Sequence, residues 1–135
     1  NGELVRLCYS GKYTEKEMIK QLVGKAGFNA YCGSNDARDI EAMAKNGDKH
    51  AQLVFDAFLY QVSKDIGAQA AVLSGKVDQI ILTGGIAYGK YATEEITKRV
   101  QFIAPVTVYG GEDELLALAQ GALRVLNGEE EAKVY

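Results

Sequence analysis

The 135-residue chain predicts a helix-rich α/β domain with at least two parallel strands, and three features carry that reading. Ile80-Ile81-Leu82 is an aliphatic run that breaks at once into Thr83-Gly84-Gly85, the pattern of a short strand buried on both faces and ended by a glycine turn. Val106-Thr107-Val108-Tyr109 repeats the strand signal after a helical stretch. That β-α-β order implies parallel strands joined by a right-handed crossover. Upstream, Ala51, Val54, Phe55, Phe58, Leu59, Val62, Ile66, Ala70 and Leu73 recur at three- and four-residue steps, which makes a helix of about seven turns.

The remaining elements follow from local chemistry. Thr14 and Glu17 have capping-box spacing, each able to satisfy a free amide at a helix start, and Met18, Leu22 and Val23 then supply an apolar face. The glycine-bearing stretch 24–33 interrupts this helix, with Phe28, Ala30 and Tyr31 reading as a short extended piece. The long helix begins near Asp48, and Gly67, Ala68, Ala70 and Ala71 thin its second half so that a neighbour can approach closely. A strand at 77–82 leads into the Gly84-Gly85 loop. A helix at 93–102 has Thr93 as its N-cap and Glu94-Glu95 in the positive first turn. After Pro105 and the second strand comes a last helix at 112–126, with Leu115, Leu118, Ala119, Ala122, Leu123 and Leu126 expected on the core side. Asn127-Gly128 is its C-cap, and the charged run 129–133 is solvated.

Composition sets the outer limits. The length fits one domain, which should bury about two-thirds of its unfolded surface. Hydrophobic content of 47% and charged content of 24% are ordinary for a globular protein. A net charge of −3 without a basic stripe argues against nucleic acid as a partner. No apolar run approaches the roughly 18 residues of a membrane helix, and no signal peptide is expected. The chain opens at Asn1-Gly2-Glu3 without Met, which suggests that it begins inside something longer. Cys8 and Cys32 lack metal-ligand spacing and read as small reduced hydrophobes in a cytoplasmic chain. His50, the single histidine, lies among Asn46, Asp48 and Lys49 and reads as a solvated helix start, not a catalytic base.

Two strands are too few for a stable open sheet, so the chain reads as the back half of a larger α/β domain. Its motifs agree. Gly33-Ser34-Asn35-Asp36-Ala37-Arg38-Asp39-Ile40, Gly47-Asp48, Ile81-Leu82-Thr83-Gly84-Gly85-Ile86-Ala87-Tyr88, Phe102-Ile103-Ala104-Pro105-Val106, Gly111-Glu112-Asp113-Glu114-Leu115 and Ala119-Gln120-Gly121-Ala122-Leu123-Arg124-Val125-Leu126 together resemble the C-terminal part of the butyrate kinases. These enzymes belong to the acetate kinase group, whose two halves each have the ribonuclease H-like core shared with actin and the sugar kinases. The resemblance covers essentially the whole chain, with its motifs in the family's order.

The resemblance implies a C-terminal fragment, residues 1–135, of the nucleotide-binding domain of an enzyme interconverting butyrate plus ATP with butyryl phosphate plus ADP. It implies that Asp36, Ala37 and Arg38 line the adenine and ribose side of an adenosine pocket and that Gly84, Gly85 and Ile86 lie against the base or sugar. The physics is compatible. Glycine backbone permits close approach, and the planar guanidinium of Arg38 can stack on a base or bond a ribose. Helix capping is the alternative role for Asp36 and Asp39. For Glu112 the resemblance implies a magnesium contact, suited to a cation that keeps several waters and takes one carboxylate. The helix macrodipole alone also explains acids at 112–114. Gly110 stands where the family tends to have proline, and Gly89 where serine is common.

The phosphate-binding loops, catalytic arginines and histidine, carboxylate pocket and remaining strands are implied to lie upstream. The last helix, 112–127, is expected to pack toward the missing N-terminal domain. The fragment is therefore expected to be inactive alone, and exposed apolar surface points to a homo-oligomer. A non-catalytic nucleotide-binding or assembly module is the alternative. A dinucleotide-binding oxidoreductase is disfavoured, because 83–90 lacks the Gly-x-Gly-x-x-Gly spacing.

Overall fold

The structure, a computed structural model, describes residues 2–111 and 114–132. In chain order, helices α1 (Gly2–Cys8), α2 (Glu15–Leu22), α3 (Phe28–Cys32), α4 (Ala37–Lys45) and α5 (Lys49–Val72) precede strand β1 (Ile80–Leu82) and a 3-10 turn (Gly85–Tyr88). Helix α6 (Lys90–Val100), strand β2 (Val106–Val108) and helix α7 (Glu114–Leu126) complete the fold.

Caps fix the helix starts. Thr14 and Glu17 form the reciprocal capping box at α2, with the Glu17 carboxylate accepting from Thr14 N at 2.9 Å. Asp48 caps α5 by accepting from His50 N and Ala51 N at 2.9 and 3.0 Å. Helix α5 packs against both α4 and α6. The core they enclose is Ile40, Ala51, Phe55, Leu59, Ala92, Ile96 and Val100, with Ile80 and Ala104 entering from the sheet side.

The strands pair in parallel, with Ile80 opposite Val106, Ile81 opposite Thr107 and Leu82 opposite Val108. A Gln79–Thr107 side-chain hydrogen bond extends the pairing. Past the strand ends, Gly84 and Gly111 exchange N–H···O bonds of 3.3 Å in an antiparallel bridge.

Four expectations are corrected. Residues 28–32 are helical, not extended. Gly27 (φ 59°) and Gly33 (φ 78°) delimit one turn, and Phe28 is drawn inward onto Phe58, at 4.9 Å between ring centroids. Helix α6 starts at Lys90, so Thr93 is inside it, and its hydroxyl donates back to Gly89 O and Lys90 O instead of capping. The strand at 80–82 is covered on one face only: Ile80 is buried while Ile81 is 60% exposed. Finally, the leucines of α7 do not face a core. None of its residues is buried, and Leu115, Leu118 and Leu126 stand open. The helix nevertheless ends as expected in a Schellman motif at Gly128 (φ 75°), with Gly128 N bonding Val125 O and Glu129 N bonding Arg124 O.

Candidate functional site

A cleft of about 760 Å³ opens beyond the carboxyl end of β1, between the start of α4 and the loop that leads into α6. In open α/β sheets this is where ligands collect. One wall is the face of α4 that carries Ala37, Glu41 and Lys45 at four-residue spacing, with Asp36 and Arg38 at its rim. Gly85, Ile86, Tyr88 and Gly89 form the opposite wall. Phe55 of α5 and Ala92 of α6, both core residues, make the floor, and Lys90 stands at the mouth.

Five of the six residues expected at an adenosine pocket thus line one cleft: Asp36, Ala37, Arg38, Gly85 and Ile86. Gly84 does not. Its φ of 84° and its bridge to Gly111 turn the chain out of β1 and set Gly85 at the wall. That positive φ favours glycine here.

At the rim, Asp36 is the N-cap of α4, and its alternative role is real. Its Oδ1 accepts from Arg38 N and Arg38 Nε, both at 2.9 Å, while Oδ2 accepts from Arg38 Nη2 at 2.5 Å. The Arg38 guanidinium and then the Arg38 amide hold the Asp36 carboxyl down at about 2. The same pairing pushes Arg38 up. Asp39 accepts from the Ser34 hydroxyl at 2.6 Å, and that hydroxyl in turn accepts from Asp36 N at 3.1 Å. The loop 34–39 is therefore set in place by its own bonds before any ligand arrives.

On the other wall, the Tyr88 ring lies across Gly110 and Gly111. A Cβ on Gly110 would stand 3.0 Å from Tyr88 Cδ1, and one on Gly111 (φ 117°) would collide with the Tyr88 hydroxyl. Glu112 and Asp113 lie outside the described residues. Among the described residues no group of three or more histidines, cysteines and carboxylates is placed to hold a metal ion.

With this geometry in view, residues 6–132 match the model of the acetokinase family. The chain belongs to that family. It is 62% identical, over all 135 residues, to butyrate kinase 2 of Clostridium acetobutylicum. It is 54% identical over 134 residues to a probable butyrate kinase of Clostridium botulinum. In each case it spans 38% of the relative's length. Acetate kinase of Porphyromonas gingivalis superposes with a TM-score of 0.77 at 24% identity, over 93% of this chain and 38% of that one. A propionate kinase of Francisella tularensis gives 0.72 at 19% identity, over 86% and 36%. These last two likenesses establish the fold: a helix-rich part of the α/β architecture found in acetokinase-family enzymes.

Sequence reading missed Glu41, Lys45 and Phe55 as cleft residues. The signal for the first two was present in this acetokinase chain. Once Asp36 is taken as a cap, Ala37, Glu41 and Lys45 fall on one helix face. Phe55 gave no such signal, because it is spaced like every other core residue of α5.

Proposed function

We propose that the cleft holds the adenosine part of ATP or ADP and that the protein to which this chain belongs interconverts butyrate and ATP with butyryl phosphate and ADP. The observation that carries this reading is the convergence of Asp36, Ala37 and Arg38 with Gly85 and Ile86 on one cleft at the end of a parallel strand. In it, the apolar floor of Phe55 and Ala92 receives a base, glycine backbone on one wall permits close approach, Arg38 stacks on the base or bonds the ribose, and Lys90 lies toward the phosphates. Phosphoryl transfer is chiefly positioning and charge neutralisation, and this chain contributes the positioning of the nucleoside.

The carboxylate-binding and phosphate-handling groups belong to sequence beyond residues 1–135 in this reading, so the chain alone is inactive. Magnesium would enter through Glu112, as one carboxylate on a largely hydrated ion. No described cluster offers a second ligand set, and no step is assigned to the ion. Helix α7 packs toward the other domain, the protein is a cytoplasmic homo-oligomer, and nucleic acid is not a partner.

Titration calorimetry with ADP tests the pocket. Heat of binding is expected from the unmodified protein and is expected to vanish in Arg38→Ala. An undiminished heat in that variant would overturn the pocket assignment. ATP-dependent butyryl hydroxamate formation tests the activity, with turnover expected from a protein of its relatives' length and none from residues 1–135. A protein that binds nucleotide at both lengths and turns over at neither would instead be the non-catalytic binding or assembly module.

A further inference from the structure

Gly85 and Ile86, on the cleft wall, sit between two ties to a single loop. Ahead of them, Gly84 exchanges backbone bonds of 3.3 Å with Gly111. Behind them, Tyr88 ends the same 3-10 turn, and its ring rests on Gly110 and Gly111. Thr83 Oγ1 adds a 3.5 Å bond to Gly111 O. The loop that leaves β2 therefore backs the wall, although neither Gly110 nor Gly111 lines the cleft. Within the turn, Ala87 N bonds Gly84 O at 3.1 Å and Gly89 N bonds Ile86 O at 3.0 Å, so a shift of Tyr88 passes along it to Ile86 and Gly85.

The hydrophobic core does not hold the ring in place. Tyr88 is 73% exposed, whereas its neighbour Ala87 is 6% exposed. What seats the ring is bare backbone. A Cβ on Gly110 would stand 3.0 Å from Tyr88 Cδ1 and 3.2 Å from Cε1, inside the carbon–carbon contact distance of about 3.5 Å. Gly111 has a φ of 117°, which favours glycine by itself, but Gly110 has no such positive φ. At position 110 an added methyl disturbs the ring and not the backbone.

Resting on the nucleotide reading of the cleft, we propose that Tyr88 is a positioning residue for the nucleoside: by clamping the turn onto the Gly110-Gly111 backbone, it sets where the Gly85-Ile86 wall stands. Gly110, outside the cleft, acts on the ligand through Tyr88.

ADP affinity, measured by titration calorimetry on a protein of its relatives' length, tests this as a double-mutant cycle. Tyr88→Ala and Gly110→Ala should each weaken ADP binding about threefold or more, a coupling of the size that contacting residues give. The double variant should bind no more weakly than Tyr88→Ala, since the methyl at 110 then has no ring to displace. Tyr88→Phe keeps the ring and should recover most of the affinity lost in Tyr88→Ala. An unchanged affinity in Gly110→Ala overturns the inference, and with a loss in Tyr88→Ala it makes Tyr88 a direct ligand contact instead. Losses that multiply in the double variant overturn it too. So does a loss in Tyr88→Phe equal to that in Tyr88→Ala, a comparison that decides by itself should Gly110→Ala fold poorly. Failure of the unmodified protein to bind ADP at all defeats the nucleotide reading itself, a distinguishable result.

Discussion

At Asp36, one side chain performs two jobs that sequence reading treats as alternatives. It caps α4 through the Arg38 amide and orders the Arg38 guanidinium at the cleft rim. The bonds to Arg38 lower its pKa to about 2, below the ordinary aspartate value of about 3.9. A depressed carboxyl contributes stability that is present above its unfolded pKa and lost as pH falls through its folded one. The loss should therefore fall between about pH 4 and pH 2. Asparagine caps as well as aspartate does but lacks the charge. Asp36→Asn should retain α4 and flatten this part of the acid limb, measured as the urea midpoint against pH. An acid limb identical to that of the unmodified protein would show that the Arg38 pair adds nothing to folding.

The elements divide into those fixed by local bonds and those fixed by distant partners. Helix α6 is tied to α5 by Tyr91, whose hydroxyl donates to Asp56 Oδ1 at 2.6 Å, while Gln52 Nε2 donates to both Asp56 Oδ1 and the Tyr91 oxygen. The Asp56 bond and partial burial push the Tyr91 phenol up to about 12. With its pKa raised on folding, the stability from this bond is present below the unfolded value of about 10 and is lost as pH climbs toward 12. Tyr91→Phe should cost about 1 kcal/mol in urea unfolding at neutral pH, and should remove one late-ionising phenol from an absorbance titration. No change in either measurement would mean that packing alone joins the two helices. The same division explains which elements were legible. Thr14, Asp48 and Gly128 signal helix ends through bonds that span a few residues, and α2, α5 and the end of α7 lie where those residues say. Thr93 misled because a hydroxyl that can cap a helix can equally bond back to the carbonyls of Gly89 and Lys90. The α3 turn depends on Phe28 reaching Phe58 thirty residues away, and no local pattern encodes that. In the cleft, the rim residues Asp36–Arg38 and the Gly85-Ile86 wall were legible as motifs, whereas Phe55 at its floor is indistinguishable in sequence from the rest of the α5 core.

Across the whole molecule, apolar surface is distributed unevenly. Helices α4, α5 and α6 bury their faces against one another, but α7 carries Leu115, Leu116, Leu118, Leu123 and Leu126 and buries none of them. A helix amphipathic in sequence and uncovered in the fold implies a surface that covers it elsewhere. The lengths of the relatives are consistent with that surface lying in further sequence, because residues 1–135 span 38% of them. The idea makes opposite predictions for one substitution in two lengths of chain. Leu118 is 71% exposed here, so Leu118→Asp in residues 1–135 should shift the unfolding free energy by no more than about 0.5 kcal/mol, as for an ordinary surface site. In a protein of its relatives' length the same aspartate would be forced against a covering domain. There it should cost at least the roughly 2–5 kcal/mol of emptying a buried leucine site, with lost soluble yield and activity. Denaturant unfolding of both lengths decides the matter. Equal, small effects in the two would mean that α7 faces solvent in the longer protein as well, and that its leucines serve contacts between copies instead.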